Sequence, residues 1–326
     1  MSTRPRVIIG LSAVVVAASE KGPEVLLSGG AGATGLPFGS FDPVGHRTFE
    51  LAVRDFVTAQ TGYALGYVEQ LYTFGDKGRE APLADMGPAG GGDGDRVVSV
   101  GYIALAGSIG EGQRRAGIWA DWYRFFPWED RRRENGLETA ANLVRDLQAW
   151  ATTSDQKSRV AMAFGLAGQI WQDSQVLDRY ELLYEAGLVT EALRDRARDH
   201  VGLNQAAQAA TLRASGGEAM VSDHRRILAT AMGRLRAKIR YRPIVFDLAP
   251  DRFTLSGLQD LVEVLCGVRL HKQNFRRTLE RSGLVEPTGV MHAETGGRPA
   301  MLFTRSPSSR QSGAPGLTLP LARRQD

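Results

Sequence analysis

A single cysteine, Cys266, stands in 326 residues, so no internal disulfide framework can staple this chain. That usage suits a reducing compartment and leads us to expect a cytoplasmic protein. Long apolar runs are also missing. The longest candidate, within residues 7–18, is too short to cross a bilayer, so no membrane partner is expected. Histidine is sparse: His46, His200, His224, His271 and His292 are scattered, and no two share a helical face at zinc-ligand spacing. Neither G-x-S-x-G nor G-K-[ST] occurs, which removes the commonest serine-hydrolase and phosphate-loop signatures. Cys266 falls on an apolar helical stripe and is read as packing, not as a nucleophile.

What is present belongs to a soluble globular chain, with 43% hydrophobic and 23% charged residues and length for two domains. Residues 1–20, MSTRPRVIIGLSAVVVAASE, imitate a secretory signal peptide. Their β-branched run reads better as a buried first strand, because EVLLS at 24–28 supplies a hairpin partner. A helix over 46–60, strands over 63–74 and 96–106, and then helices follow, with 180–189 reading as a helix that stops at Gly187. WADWYRFFPWEDRRR at 119–133 takes no assignment from pattern alone. Glycine-rich stretches at 29–35 and 87–95 are loops. Gly30, Gly32 and Gly35 match G-x-G-x-x-G, but Pro37 and Gly39 follow at once and no acidic strand end comes about 20 residues on, as a dinucleotide fold would require.

Charge is distributed unevenly. From His224 to Arg305 the chain carries 15 Lys and Arg against 7 Asp and Glu, a surplus of +8 within a whole-chain net charge of +4. A basic C-terminal unit on a mildly acidic body is the electrostatic footprint of a nucleic-acid reader joined to something else. ASGGEA at 214–219 is the best boundary between them. The expected division is residues 1–215 for the first domain with a helical extension, 220–305 for the second, and 306–326 as a disordered tail.

Within the second unit a helix at about 223–240 carries Leu228, Ala231, Met232, Leu235 and Ile239 on one face and arginine and lysine on the rest. Thr254 can cap a following helix with Leu258, Leu261, Val262 and Leu265 at helical spacing, and Gly267 can stop it. After a tight turn comes LHKQNFRRTLERSG. Phe275, Thr278 and Leu279 form its inner face, while Gln273, Arg276 and Arg277 point outward, flanked by Lys272 and Asn274. Those side chains suit a major groove: arginine for guanine, glutamine or asparagine for adenine, lysine for phosphate. Helix, turn and basic helix make a helix-turn-helix, and GLVEPTG with TGGRPAMLFT supplies two strands of a wing bearing Arg298.

The first unit poses a different question. In FELAVRDFVTAQTGY at 49–63, Phe49, Ala52, Val53, Phe56 and Val57 make a core stripe, and Thr61-Gly62 closes the helix as the metal helix of Nudix pyrophosphohydrolases is closed. Magnesium needs hard oxygen ligands. Anchored on Thr61-Gly62, the Nudix arginine position holds Asp55, the next glutamate position Phe56, and the glutamate pair Ala59 and Gln60. Sliding the register onto Arg54-Asp55 leaves Thr58 and Ala59 there instead. Either way the metal ligands are gone. The strand end EQLYTFGD at 69–76, with Arg79 just beyond, offers an aromatic and an arginine that could hold a nucleotide.

Residues 224–289 and GGRPAMLF closely resemble the C-terminal module of Nudix-related transcriptional regulators of NAD metabolism. YVEQLYTFGD and RVVSVGY resemble their sensor domain, and RTFELAVRDFVTAQTGY with RYELLYEAGLV is most similar to the branch repressing de novo NAD synthesis. The resemblance implies an α+β protein: a Nudix-like α/β/α sandwich that senses without hydrolysis, followed by a winged helix-turn-helix. It implies a homodimeric repressor on a palindromic double-stranded DNA operator, with no cofactor and an effector such as NAD, ADP-ribose or a related adenine nucleotide. The DNA contacts would be Lys272, Gln273, Asn274, Arg276, Arg277 and Arg298; the effector candidates are Tyr72, Phe74, Asp76 and Arg79. The loop at 80–95 is longer and richer in glycine than the family's. An active nucleotide pyrophosphohydrolase and a sugar-sensing regulator of the same architecture stand as alternatives.

Overall fold

The structure, a computed structural model, describes residues 6–19, 22–28, 34–76, 79, 95–107, 117–199, 216–292, 299–310 and 316–317. β1 (Val7–Ser19) and β2 (Gly22–Leu27) pair antiparallel, as the hairpin reading of the first apolar run requires. With β3 (Phe38–Ser40), β4 (Tyr67–Phe74), β5 (Arg96–Leu105) and β6 (Ile118–Asp121) they build one sheet in the order β4-β5-β1-β2-β6, with β3 paired to β1. β1 and β5 are parallel; the other pairs are antiparallel.

Because successive strand residues face opposite ways, β1 serves two cores at once. Leu11, Ala13 and Val15 pack against Ala52, Val53 and Val57 of helix α1 (Phe49–Thr61). Val14 and Val16 face a larger core shared with the helices of the other side. The unit is therefore an α/β/α sandwich, and each fully buried aliphatic in it is worth about 1.5–3 kcal/mol relative to exposure. α1 starts three residues later than the pattern predicts. Asp42 and His46 close a local turn, and Thr48 takes the N-cap, its side chain accepting from the Leu51 amide. β4 begins at Tyr67 and not at 63, because the Tyr63 hydroxyl donates to the Ala106 carbonyl at 2.8 Å and turns that residue inward.

The unassigned stretch 119–133 becomes β6 and two 3-10 turns, Trp122–Arg124 and Pro127–Glu129. Trp122, Phe125, Phe126 and Trp128 are all fully buried there, and no single period describes them because they point into the core from turns. α2 (Glu134–Trp150), α3 (Ser154–Phe164), α4 (Val176–Glu185) and α5 (Thr190–Asp199) follow, and Gly187 adopts the left-handed conformation after α4.

α6 (His224–Tyr241) is the helix that the division at 214–219 attaches to the C-terminal unit. It packs on β1, β4, β5 and α4, and Ile227, Leu228, Met232 and Leu235 sit in the same core as Val14, Phe74 and Ile103. By packing it belongs to the body. Beyond it lie β7 (Phe253–Thr254), α7 (Leu255–Cys266), α8 (Lys272–Ser282), β8 (Val285–His292) and β9 (Ala300–Arg305), the strands forming a sheet in the order β7-β9-β8. Residues 306–310, expected within the tail, are tied down: the Ser306 amide donates to Leu284, and Ser308–Arg310 make a 3-10 turn. Leu317 is fully buried and its amide donates to the Ile239 carbonyl.

Candidate nucleic-acid interface and effector region

α7 and α8 are set up as the residues predict. Thr254 accepts from the Gly257 amide at 3.0 Å, and Gly267 ends α7 at a φ of 70°. A Cβ at Gly267 would lie 2.1 Å from the Glu129 carbonyl, so glycine serves both the turn and the close approach to the body. Phe275 and Leu279 are buried beneath α8. Lys272, Gln273, Arg276 and Arg277 are exposed together, with Asn274 half-buried at their side. Arg276 reaches Ser256 at 3.4 Å and Arg277 reaches Asn274 at 3.3 Å, both long bonds that a better acceptor would replace. Arg298, the expected wing contact, lies outside the described residues, as does most of the 80–95 loop.

On α1, one of the two residues standing at the glutamate pair does structural work. Gln60 accepts from the Phe38 amide and donates to the Phe38 carbonyl, clamping β3 to the helix end. Ala59 is exposed and offers no ligand atom. Arg54 is spent on Glu50 and on the carbonyls of Leu65 and Gly66, so its guanidinium fastens the turn after α1.

The four effector candidates separate. Phe74 is 2% exposed, a core residue whose ring lies beneath Arg226. Tyr72 is 61% exposed on the edge strand, its ring meeting that of Phe74 edge-on. Asp76 and Arg79 are brought together at 3.7 Å and into a larger cluster. Arg79 also pairs with Glu181 at 3.1 Å and lies 3.4 Å above the Tyr184 ring, while Arg226 of α6 reaches both Asp76 and Glu181. Burial works against the Arg79 charge, but Glu181 and Tyr184 outweigh it and hold the guanidinium more firmly protonated than usual.

Residues 245–304 match the NrtR DNA-binding winged helix domain. Over those residues the chain resembles that winged helix domain. An ADPR responsive transcriptional repressor NtrR of Acinetobacter baylyi is 41% identical over 81 residues, which are 25% of this chain and 32% of that protein. The match thus spans about a third of the curated relative. Crystal structures of Shewanella oneidensis NrtR, alone and with a 27mer DNA, superpose with TM-scores of 0.51 and 0.50 at 18% and 20% identity, covering 95% of this chain and 98% and 97% of theirs. At that identity the likeness shows a shared fold. Among the described residues, no helix is long and apolar enough to cross a membrane.

The winged unit is joined to the sandwich through α6, and here helical periodicity alone misplaces the decisive residues. Arg225 and Arg236 were grouped with the solvent-facing arginines, yet both are fully buried, paired with Glu191 and Glu129 respectively. Eleven positions apart, they share one helical angle at the border of the apolar stripe, which is the signal that could have placed them. At the start of α6, the Leu36 amide donates to His224 Nδ1 at 3.0 Å, and burial drops the imidazole to about 3. Burial pushes the adjacent Asp223 up to about 7 despite Arg226 and Arg79, with Glu181 and Asp76 adding to the rise.

The two groups act on stability in opposite directions. His224 is neutral when folded and protonates on unfolding, so its contribution is complete above about 6.5 and lost as pH falls towards 3. Asp223 holds its proton when folded and releases it on unfolding, so stability falls as pH rises from about 4 to about 7. Asp223→Asn removes the second slope. The variant's stability should rise between pH 4.5 and 6.5 more steeply than that of the parent, and parallel urea titrations at several pH values check it.

Proposed function

We propose that this chain is a DNA-binding transcriptional repressor of NAD biosynthesis genes whose N-terminal sandwich senses an NAD-related adenine nucleotide, ADP-ribose being the leading candidate. The observation that carries it is the exposed row Lys272, Gln273, Arg276 and Arg277 on α8, within a unit of the NrtR winged helix family. The Acinetobacter baylyi relative is named for ADPR responsiveness, which supports the choice of effector. Repression from a palindromic operator by a homodimer follows from the two-fold logic of helix-turn-helix readers. Effector binding then falls to the sandwich and its helical extension, α6 included, and the winged unit beyond α6 reads DNA. The sandwich binds without hydrolysis, because Gln60 is committed to clamping β3 and Ala59 carries no oxygen to offer magnesium. A nucleotide then shifts the protein between arrangements of its DNA-reading helices only by binding one of them more tightly.

The test is fluorescence anisotropy of the purified chain on its own upstream DNA and on promoters of NAD-synthesis genes. Salt is varied first, and NAD, ADP-ribose or ATP is then added. Tight, competitor-resistant binding with a steep salt slope, shifted by one nucleotide, is the expected result. Weak binding blind to sequence, or magnesium-dependent release of AMP from ADP-ribose, would overturn it.

A further inference from the structure

The stretch 130–133, Asp-Arg-Arg-Arg, belongs to the body and lies outside the residues matched to the winged helix, yet it is docked on the turn between α7 and α8. The Arg131 amide donates to the Gly267 carbonyl at 2.8 Å, and Arg269 of the turn donates to the Arg132 carbonyl at 3.3 Å. Lys272, the first residue of α8, follows Arg269 by three positions, a reach of at most about 11 Å along the chain. Asp260 of α7 feels both sides of this contact. Burial raises its carboxyl, Glu263 adds to the rise, and Lys272 and Arg132 oppose it. The arginine run and the start of α8 therefore share one neighbourhood.

The three arginines are used differently. Arg131 lies 4.2 Å over the Trp171 ring. Arg132 is mostly buried and paired with Asp130 at 2.7 Å. Arg133 has a longer pair, 3.3 Å to the same buried carboxylate, and its side chain is 63% exposed. One carboxylate thus answers two guanidinium groups, and the outer one keeps most of its surface in solvent, as Arg269 and Lys272 do. Arg133 is also the N-cap of α2, and no side chain caps that helix. Ser, Thr, Asp or Asn usually stand there, and arginine adds charge to the positive end of the helix. Glu134 in the first turn and Asp121 nearby offset part of it. Helix stability does not call for arginine at this position; an anion facing it reverses the sign.

We propose that the body binds DNA directly: Arg133, together with Arg269 of the turn, holds phosphates of the backbone beside the groove that α8 enters. The inference rests on the reading of α8 as the DNA-reading helix. Arginine contacts to phosphate carry no sequence information, but they add affinity and fix register. Arg133 stands on the body and Arg269 on the winged unit, so DNA held by both spans the joint between them. A shift of one unit against the other then changes the fit to the backbone.

The experiment is anisotropy titration of the full chain at several salt concentrations, on its own upstream DNA and on a scrambled duplex of equal length. The variants are Arg133→Ala, Arg133→Lys, Arg133→Ala with Arg269→Ala, and Arg276→Ala with Arg277→Ala. Arg133→Ala should weaken binding to both duplexes by the same factor, with the salt slope lower by about 0.9, and the variant lacking both Arg133 and Arg269 by about 1.8. Arg133→Lys should keep the slope, because lysine holds phosphate as a point charge. Melting temperatures should not change. An unchanged slope in Arg133→Ala while the α8 variant loses affinity, or a loss confined to the specific duplex, overturns the body contact and leaves the regulator reading standing. A parent that binds both duplexes equally, with the slope still lowered by Arg133→Ala, keeps the contact and removes the regulator reading. Binding to neither duplex removes both.

Discussion

Replacing Arg276 and Arg277 together with alanine is expected to lower affinity for specific DNA by about 1–3 kcal/mol for each base pairing lost. Per pairing, that is roughly a tenfold to hundredfold weakening. Both side chains are exposed and make only long bonds within the protein, so the substitution should leave the fold unchanged. Alanine also favours helix, so α8 itself gains if anything. The signature lies in what else changes. If the arginines read bases, discrimination between operator and random DNA collapses while the salt slope moves little. If they contact phosphates, affinity falls evenly on all sequences and the slope drops by about 0.9 per contact. Lys272→Ala is expected to behave in the second way, as a point charge at the helix start. Anisotropy titrations at three salt concentrations on specific and scrambled duplexes separate these outcomes. Unchanged affinity in the double variant would remove α8 as the reading element.

The parts of this molecule that obey one periodicity were legible from the residues. The β1–β2 hairpin, the α1 stripe, the Thr254 cap, the Gly267 stop and the inner face of α8 all stand where spacing puts them. Local chemistry decides such features, and each is visible within a few residues. Two kinds of feature were not legible. Trp122, Phe125, Phe126 and Trp128 enter the core from turns, where no repeat announces which side chain points inward. Arg225, Arg236 and Arg179 are buried because distant carboxylates meet them, and the Arg179–Glu129 partnership spans fifty positions. A charge that looks solvated in a helical wheel becomes interior only when its partner is known. The same applies to Arg79, whose partners Glu181 and Tyr184 lie on a distant helix.

Glu129→Gln is expected to give a large loss of stability, about 3–5 kcal/mol, the range for breaking a buried ion pair by removing one partner. Glu129 is fully buried between Arg179 at 2.6 Å and Arg236 at 2.6 Å, so the neutral isostere leaves two guanidinium charges inside without the carboxylate they share. The sign of the pH effect follows from the same geometry. Burial favours the protonated carboxyl, but the two arginines outweigh it and hold Glu129 below the usual carboxylate range. Its contribution is therefore complete above about 4.5 and is lost as pH falls through the lowered folded value. In Glu129→Gln that acid limb of the stability profile should flatten. The loss should also be felt unequally along the chain. Arg236 donates to the Leu265 carbonyl at 2.9 Å, the Tyr123 hydroxyl to Val264 at 2.7 Å, and the Arg131 amide to Gly267 at 2.8 Å, all at the end of α7. These bonds dock the winged helix on the body. With Arg236 released from Glu129, calorimetry should show the winged unit of the variant melting before the body, while the parent melts in one transition. One unshifted transition in Glu129→Gln would show that the triad neither stabilises the chain nor joins its two units.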